Sequence, residues 1–229
     1  MSALFHYPKD RHVRTERPRQ FKRYQTYKRV LRTEFSGVCV YCRAPKISNP
    51  SQIFTVDHYR PKGLPQFAGL VADYGNLYYC CHACNSRKGS YWPADELADP
   101  HIVNPCDHQM ASHMKFDAST GEVKAFTPHG VWTSKLLGLN DGEVPKYRRV
   151  TLATVRALNS QLVGLEIDLD RAKRAIDEGK LPATSETGDL IRELEQQIVN
   201  VREALLDYGV GVILPPVRES ILGLTTVLP

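Results

Sequence analysis

After Pro145 the apolar positions fall into two runs with spacings of three and four: Val155, Leu158, Leu162, Leu165, Leu169, Ala172 and Ile176, then Ile191, Leu194, Ile198, Val201 and Leu205. Such a period predicts helices with one apolar stripe. Gly179, Pro182 and Gly188 punctuate the region between them. Because a stripe must be buried against something, residues 145–229 read as an antiparallel helical hairpin, with the tail from Gly209 as an extended strap over the hairpin or a partner. A dimerisation or partner-docking arm is the functional alternative. Upstream, Phe21, Tyr24, Leu31 and Phe35 recur near helical spacing between Pro18 and Gly37, which predicts a helix over about 18–35.

Between these helical regions the pattern changes to short extended runs. Ile53-Phe54-Thr55-Val56 reads as a β-branched strand ending on Asp57-His58, followed by a loop punctuated by Pro61, Gly63, Pro65 and Gly69. A second strand is expected over Asn76–Cys80, and a helix starting near Cys81 carries Cys84, Asn85 and Lys88. Gly121–Phe126 suggests a small hairpin. Residues 1–17 are polar and without period, so they are expected to form a flexible basic arm. The domain reading is therefore an arm over 1–17, a central unit over 18–140 with its core at 35–95, and the hairpin over 145–229.

Charge sharpens this picture. The whole chain carries a formal +5, yet Met1–Phe35 alone holds ten Lys or Arg against three acids, a local +7. Such a field suits a polyanion, since each cation that meets a phosphate displaces a counterion. Lys22, Arg23, Lys28 and Arg29 of the first helix are the expected backbone contacts, the plain alternative being a solvated helix face. No apolar stretch approaches the roughly 18–20 residues that span a bilayer. A cytoplasmic protein without membrane contact is the expectation.

The chemistry concentrates in one segment. Cys39/Cys42 and Cys81/Cys84 are two Cys-x-x-Cys pairs, a spacing that points both sulfurs of a pair at one ion and suits tetrahedral Zn²⁺. Successive strand residues face opposite ways, so Cys81 and not Cys80 is the expected ligand. Cys80 and Cys106 are then small buried hydrophobes. His101, His108, His113 and Cys106 match no ligand template. Inside the cysteine bracket, His58 has the pKa range of a general base, and Asp57 with Asn85 offers the hard oxygen donors that Mg²⁺ takes. Asn76 would hold His58 or its loop, and Lys62, Arg87 and Lys88 would meet phosphates.

Cys39-x-x-Cys42, Asp57-His58-Tyr59-Arg60-Pro61-Lys62, Asn76-Leu77 and Cys81-x-x-Cys84-Asn85-x-x-Lys88-Gly89 together resemble the zinc-containing HNH endonucleases. The resemblance covers about residues 35–95 and implies an α+β fold: a ββα-metal core with treble-clef-like zinc, flanked here by the N-terminal basic helix and the C-terminal helical hairpin. It further implies cleavage leaving 5′-phosphate and 3′-hydroxyl ends, structural zinc, and a catalytic Mg²⁺ or Mn²⁺ on Asp57 and Asn85. His58 would be the base, Asn76 the middle asparagine, and Arg60 and Lys62 contacts to nucleic acid, with double-stranded DNA the expected substrate. Asn85 stands where the family frequently has His. Arg60-Pro61-Lys62, Asn104-Pro105-Cys106 and Leu139-Asn140 are similar to HNH proteins of bacterial anti-phage and retron-associated systems. Two readings compete with the nuclease: a zinc-organised nucleic-acid-binding module without chemistry, and a partner-dependent subunit of a defence complex.

Overall fold

The computed structural model describes residues 4–46 and 53–208, together with the backbone of Val217–Glu219 and Thr225–Val227. The chain divides into two compact units, with the boundary between Thr151 and Leu152. In chain order the first unit contains α1 (Lys28–Glu34), β1 (Phe54–His58), β2 (Leu77–Cys81), α2 (His82–Lys88), the single turn α3 (Met110–His113), β3 (Met114–Phe116), β4 (Val123–Ala125) and α4 (Pro128–Leu136). The architecture is α+β, as the sequence predicts.

The centre of the first unit is β1 paired antiparallel with β2, in a register that sets Phe54 opposite Cys81, Asp57 opposite Tyr78 and His58 opposite Leu77. All five residues of β2 are buried. Both faces of this short hairpin are therefore covered, which explains why its sequence lacks a clean polar alternation. Phe35 stacks on Tyr78 at 5.5 Å, and Phe54 on Tyr79 at 4.6 Å. The loop back from β1 passes through a 3-10 turn at Pro65–Leu70, and Asn76 sits in a second one at Tyr74–Asn76 instead of on the strand.

The helix expected over 18–35 is shorter than its pattern. Arg23 is extended, a 3-10 turn runs over Tyr24–Tyr27, and α1 occupies only Lys28–Glu34. Phe21 supplies the reason, because its backbone N–H donates to the Tyr27 hydroxyl at 2.9 Å while its ring packs edge-on to Tyr27 at 4.9 Å. An apolar residue at helical spacing is thus half-buried from a segment outside the helix. The expected stop holds: Gly37 adopts φ +69 and its N–H closes on Arg32 O at 2.8 Å.

The basic arm is not loose. Leu4, Phe5 and Tyr7 are buried, and the Arg14 guanidinium lies 4.7–5.2 Å from the ring centroids of Phe35, Tyr74 and Tyr78 while donating to Leu77 O at 2.8 Å. Glu34 is the matching anchor from α1. Its carboxylate accepts from the N–H groups of Thr15 and Glu16 and from the Tyr74 hydroxyl, and pairs with His12 at 2.7 Å. A polar, aperiodic segment is therefore ordered by one buried anion and one half-buried cation, which hydropathy does not reveal.

In the second unit, α5 (Val144–Asp177, continuing past the boundary) and α6 (Ser185–Asp207) run antiparallel, tied by Lys173–Glu195 at 2.8 Å and Arg202–Glu166 at 2.6 Å. Leu162, Ile198, Val201 and Leu205 are buried, so stripe positions are covered. A capping box at Thr184 and Thr187 starts α6. Val217–Glu219 pairs antiparallel with Thr225–Val227 as β5 and β6. The rest of the strap expected from Gly209 lies outside the described residues. Among the described residues no helix is long and apolar enough to cross a membrane.

Burial opposes the Glu34 charge, but the bonds from Thr15, Tyr74, His12 and Glu16 outweigh it and hold the carboxyl down to about 2. A depressed folded pKa contributes stability above the unfolded value near 4.5, lost as pH falls toward 2. Glu34→Ala is expected to destabilise the first unit by about 2–3 kcal/mol, the scale of charge-assisted hydrogen bonds, and to raise amide exchange over residues 12–16. Unchanged exchange there, read by mass spectrometry, would show that the arm is held by something else.

Candidate active site and metal centre

The metal centre is built from two local structures. After Val38, a tight knuckle forms as Cys39 N–H donates to Ala44 O at 2.9 Å and Arg43 N–H returns to Cys39 O at 3.0 Å, with Arg43 at φ +58. Opposite it, β2 ends on Cys81 and α2 begins at once, which puts Cys84 one turn further on the inner side. The Sγ atoms of Cys39, Cys42, Cys81 and Cys84 all lie within 4.8 Å of one another and all four residues are buried. Zn–S bonds of about 2.3 Å in a tetrahedron require sulfur separations of about 3.8 Å, and Cys42 to Cys81 is 3.8 Å. The quartet fits zinc, with Cys81 and not Cys80 as its member. Cys80 is more than a buried hydrophobe, since its Sγ approaches that of Cys39 to 3.9 Å.

The knuckle is fastened to the hairpin by two bonds. Val40 N–H donates to Tyr79 O at 3.1 Å, and the Tyr41 hydroxyl donates to Asp57 Oδ2 at 2.5 Å. Tyr41 occupies a spacer position of the first Cys-x-x-Cys pair, where no periodicity or motif marks it. Burial, and then the neighbouring Asp57 charge, keep its phenol protonated far above the ordinary range. It is a permanent donor to that carboxylate.

Strand alternation separates the neighbours Asp57 and His58. Thr55 and Asp57 face α2: Asn85 Nδ2 donates to Thr55 Oγ1 at 3.0 Å, and Lys88 Nζ donates to Asp57 Oδ1 at 3.1 Å. The His58 imidazole lies on the other face, edge-on to Tyr24 at 4.5 Å, with Nε2 3.0 Å from Val71 O. A carbonyl can only accept, so Nε2 carries the proton and Nδ1 keeps the lone pair. Burial, with Lys62 and Lys88 in support, lowers the His58 pKa below 6.5 against the opposing bond to Val71 and the Asp57 charge. The imidazole is neutral at physiological pH, the protonation state a base requires.

Several expected roles change. Lys88 does not reach toward solvent phosphates, because its side chain is 1% exposed and bound to Asp57 and to His58 O at 2.7 Å. Arg87 is likewise spent: Nη1 donates to Leu137 O at 2.8 Å and Gly138 O at 3.0 Å, closing the end of α4, and Nη2 pairs with Asp141 at 3.6 Å. Asn76 Oδ1 accepts from Arg60 N–H, and its Nδ2 donates to Arg60 O and Leu70 O, stapling the loop after His58. Arg60 lies over Trp92 at 5.5 Å, and Lys62 donates to the Tyr24 hydroxyl at 3.0 Å. Lys22, Arg23, Lys28 and Arg29 are exposed. Asp57 and Asn85 have the oxygen chemistry of a hard-cation site, yet both Asp57 oxygens are engaged. In this arrangement the pair does not fit a divalent cation, because an ammonium already stands on Oδ1.

The histidines gather without forming a second centre. The rings of His108, His113 and His129 lie 5.2–6.0 Å apart, with His101 beside His129. His129 Nδ1 accepts the His101 backbone N–H at 2.8 Å, so its Nε2 is protonated and offers no lone pair to a metal. Among the described residues the cysteine quartet alone groups ligand atoms for an ion.

Residues 39–91 match the family model of the HNH endonucleases. The chain is 24% identical over 202 residues to the Septu protein PtuB of Bacillus mycoides (strain KBAB4), covering 77% of this chain and 65% of that relative. It is 29% identical over 116 residues to the Septu protein PtuB of Bacillus thuringiensis, covering 51% of this chain and 42% of the relative. The chain thus spans less than two thirds of the length of either relative. No solved structure matches significantly.

Zinc is expected to follow the geometry. Cys81→Ser and Cys84→Ser should each lose the bound equivalent of zinc, measured by colorimetric release, while Cys80→Ser retains it. Because structural zinc sites supply on the order of 10 kcal/mol of folding free energy, stripping the metal should abolish the cooperative thermal transition of the first unit. Zinc retained by Cys81→Ser and lost by Cys80→Ser would reverse the ligand assignment.

Proposed function

We propose that the chain is a metal-dependent HNH endonuclease that hydrolyses phosphodiester bonds of nucleic acid, with double-stranded DNA as substrate and His58 as general base. One observation carries the reading: within the segment matching the HNH model, a neutral imidazole at the end of β1 has its proton fixed on Nε2 by Val71 O and its lone pair on Nδ1. That nitrogen takes the proton from water as the oxygen attacks phosphorus, a contribution of roughly 10²–10⁴ in rate for a well-placed base. Asn76 holds the loop behind it. Arg60, Lys62, Lys22, Arg23, Lys28 and Arg29 supply the exposed charge for the phosphate backbone.

The divalent cation, Mg²⁺ or Mn²⁺, would supply charge neutralisation at the phosphate. Asp57 and Asn85 are the residues that would hold it, on the condition that Lys88 leaves Asp57 Oδ1. Zinc at the cysteine quartet remains structural, since four thiolates leave no open position. The similarity to the Septu PtuB proteins supports a role in anti-phage defence, in the cytoplasm, with the helical hairpin available for a protein partner or self-association.

Supercoiled plasmid with Mg²⁺ or Mn²⁺ tests the reading directly. The protein should nick it, His58→Ala should lose at least about a hundredfold in rate while keeping its affinity for DNA, and nicking by the wild type should fall on acidification. The sign follows from the lowered His58 pKa: the base is neutral and active above it, and protonated and inactive below, so the acid limb lies under pH 6.5. Binding without metal-stimulated nicking on any polynucleotide would favour the zinc-organised binding module.

A further inference from the structure

The ammonium of Lys88 stands where the proposed function needs a cation. Its Nζ lies 3.1 Å from Asp57 Oδ1 and 2.7 Å from His58 O, with 1% and 3% of the two ion-paired side chains exposed. Burying such a pair has a large desolvation cost that its mutual attraction barely offsets, so a buried Lys–Asp pair is weak as a stabilising device. What it does achieve is to give Asp57 a counter-ion in a place where a bare carboxylate would be strongly unfavourable.

The surroundings make that counter-ion exchangeable. Tyr41 holds Oδ2 from the zinc knuckle at 2.5 Å, so the carboxylate stays in place when Oδ1 is vacated. Lys88 is the last residue of α2, followed by exposed Gly89 and Ser90, so its flexible four-carbon stem starts from a helix end that borders solvent. A divalent ion in direct contact at about 2.1 Å attracts a carboxylate far more strongly than a monovalent ammonium at hydrogen-bond distance. Asn85, one helical turn before Lys88, brings a carboxamide to the neighbouring Thr55 on the same strand face.

We propose that Lys88 is a resident counter-ion that a divalent cation must displace from Asp57, so that the metal-free site is kept folded and idle by its own lysine. This rests on the reading of Asp57 as a cation ligand, and the experiment separates the two. Mn²⁺ affinity is measured by the electron paramagnetic resonance of free Mn²⁺ on the zinc-loaded full chain. Lys88→Met should bind Mn²⁺ about tenfold more tightly than wild type or better, because the competing charge is gone, and Asp57→Asn should lose binding in both backgrounds. If Asp57→Asn leaves the affinity unchanged, Asp57 holds no cation and the underlying reading fails with the inference. If Asp57→Asn abolishes binding while Lys88→Met binds no more tightly than wild type, the exchange alone is wrong.

A second measurement needs no variant. Lys88 of the wild-type protein, labelled with acetic anhydride and read by peptide mass spectrometry, should be protected without divalent ion and react several-fold faster with Mg²⁺ present. Equal labelling under both conditions would overturn the displacement even if Lys88→Met failed to fold.

Discussion

Four cysteine sulfurs within 4.8 Å of one another in a buried site are a charge problem before they are a shape. As thiolates they repel, and only a central cation with tetrahedral preference makes the arrangement favourable. The remainder of the first unit is arranged around that requirement. One pair of ligands lies in a knuckle whose backbone bonds to β2 through Val40, and the other straddles the point where β2 ends and α2 begins. The junction that sets the pitch of α2 also decides which of its residues face β1. Asn85 and Lys88 reach Thr55 and Asp57 for that reason.

A second theme is the pairing of buried charge. Arg14 is enclosed by three aromatic rings and carbonyl oxygens, Glu34 by backbone N–H groups and a phenol, and Asp57 by Tyr41 and Lys88. Each polar group supplies order where the apolar pattern is poor. The arm gains a fixed course from Arg14 and Glu34, and β1 gains a link to the cysteine knuckle through Asp57. Such networks define a unique arrangement more than they add free energy, because desolvation offsets most of their attraction. Within the imidazole cluster, His108 and His113 obey the same logic in neutral form. Burial, with the neighbouring histidines in support, pushes His108 down to about 4. Its Nδ1, which accepts the Asn104 N–H, stays uncharged inside the fold.

What could be read from the chain alone was whatever depends on local spacing. The two Cys-x-x-Cys pairs pointed to a four-cysteine metal site and to its members, because a two-residue spacer can turn both sulfurs of a pair toward one ion. Strand parity chose Cys81 over Cys80. The three-four stripes gave the helical hairpin, whereas the opposite faces taken by Asp57 and His58 were settled by the pairing of β1 with β2 and its packing on α2. Tertiary structure decided everything that depends on long-range electrostatics. An arginine and a lysine one and two residues after Ser86 look like phosphate contacts in a string, yet the fold turns Lys88 inward onto Asp57 and Arg87 onto the end of α4. Tyr41 became a ligand of the carboxylate only when the knuckle docked on β1. The arm over residues 4–17 looked loose because its anchors are single charges 18 or more residues from their partners in the chain. Spacing records the geometry of neighbours, whereas the pairing of a buried charge is set by which distant group the fold brings to it.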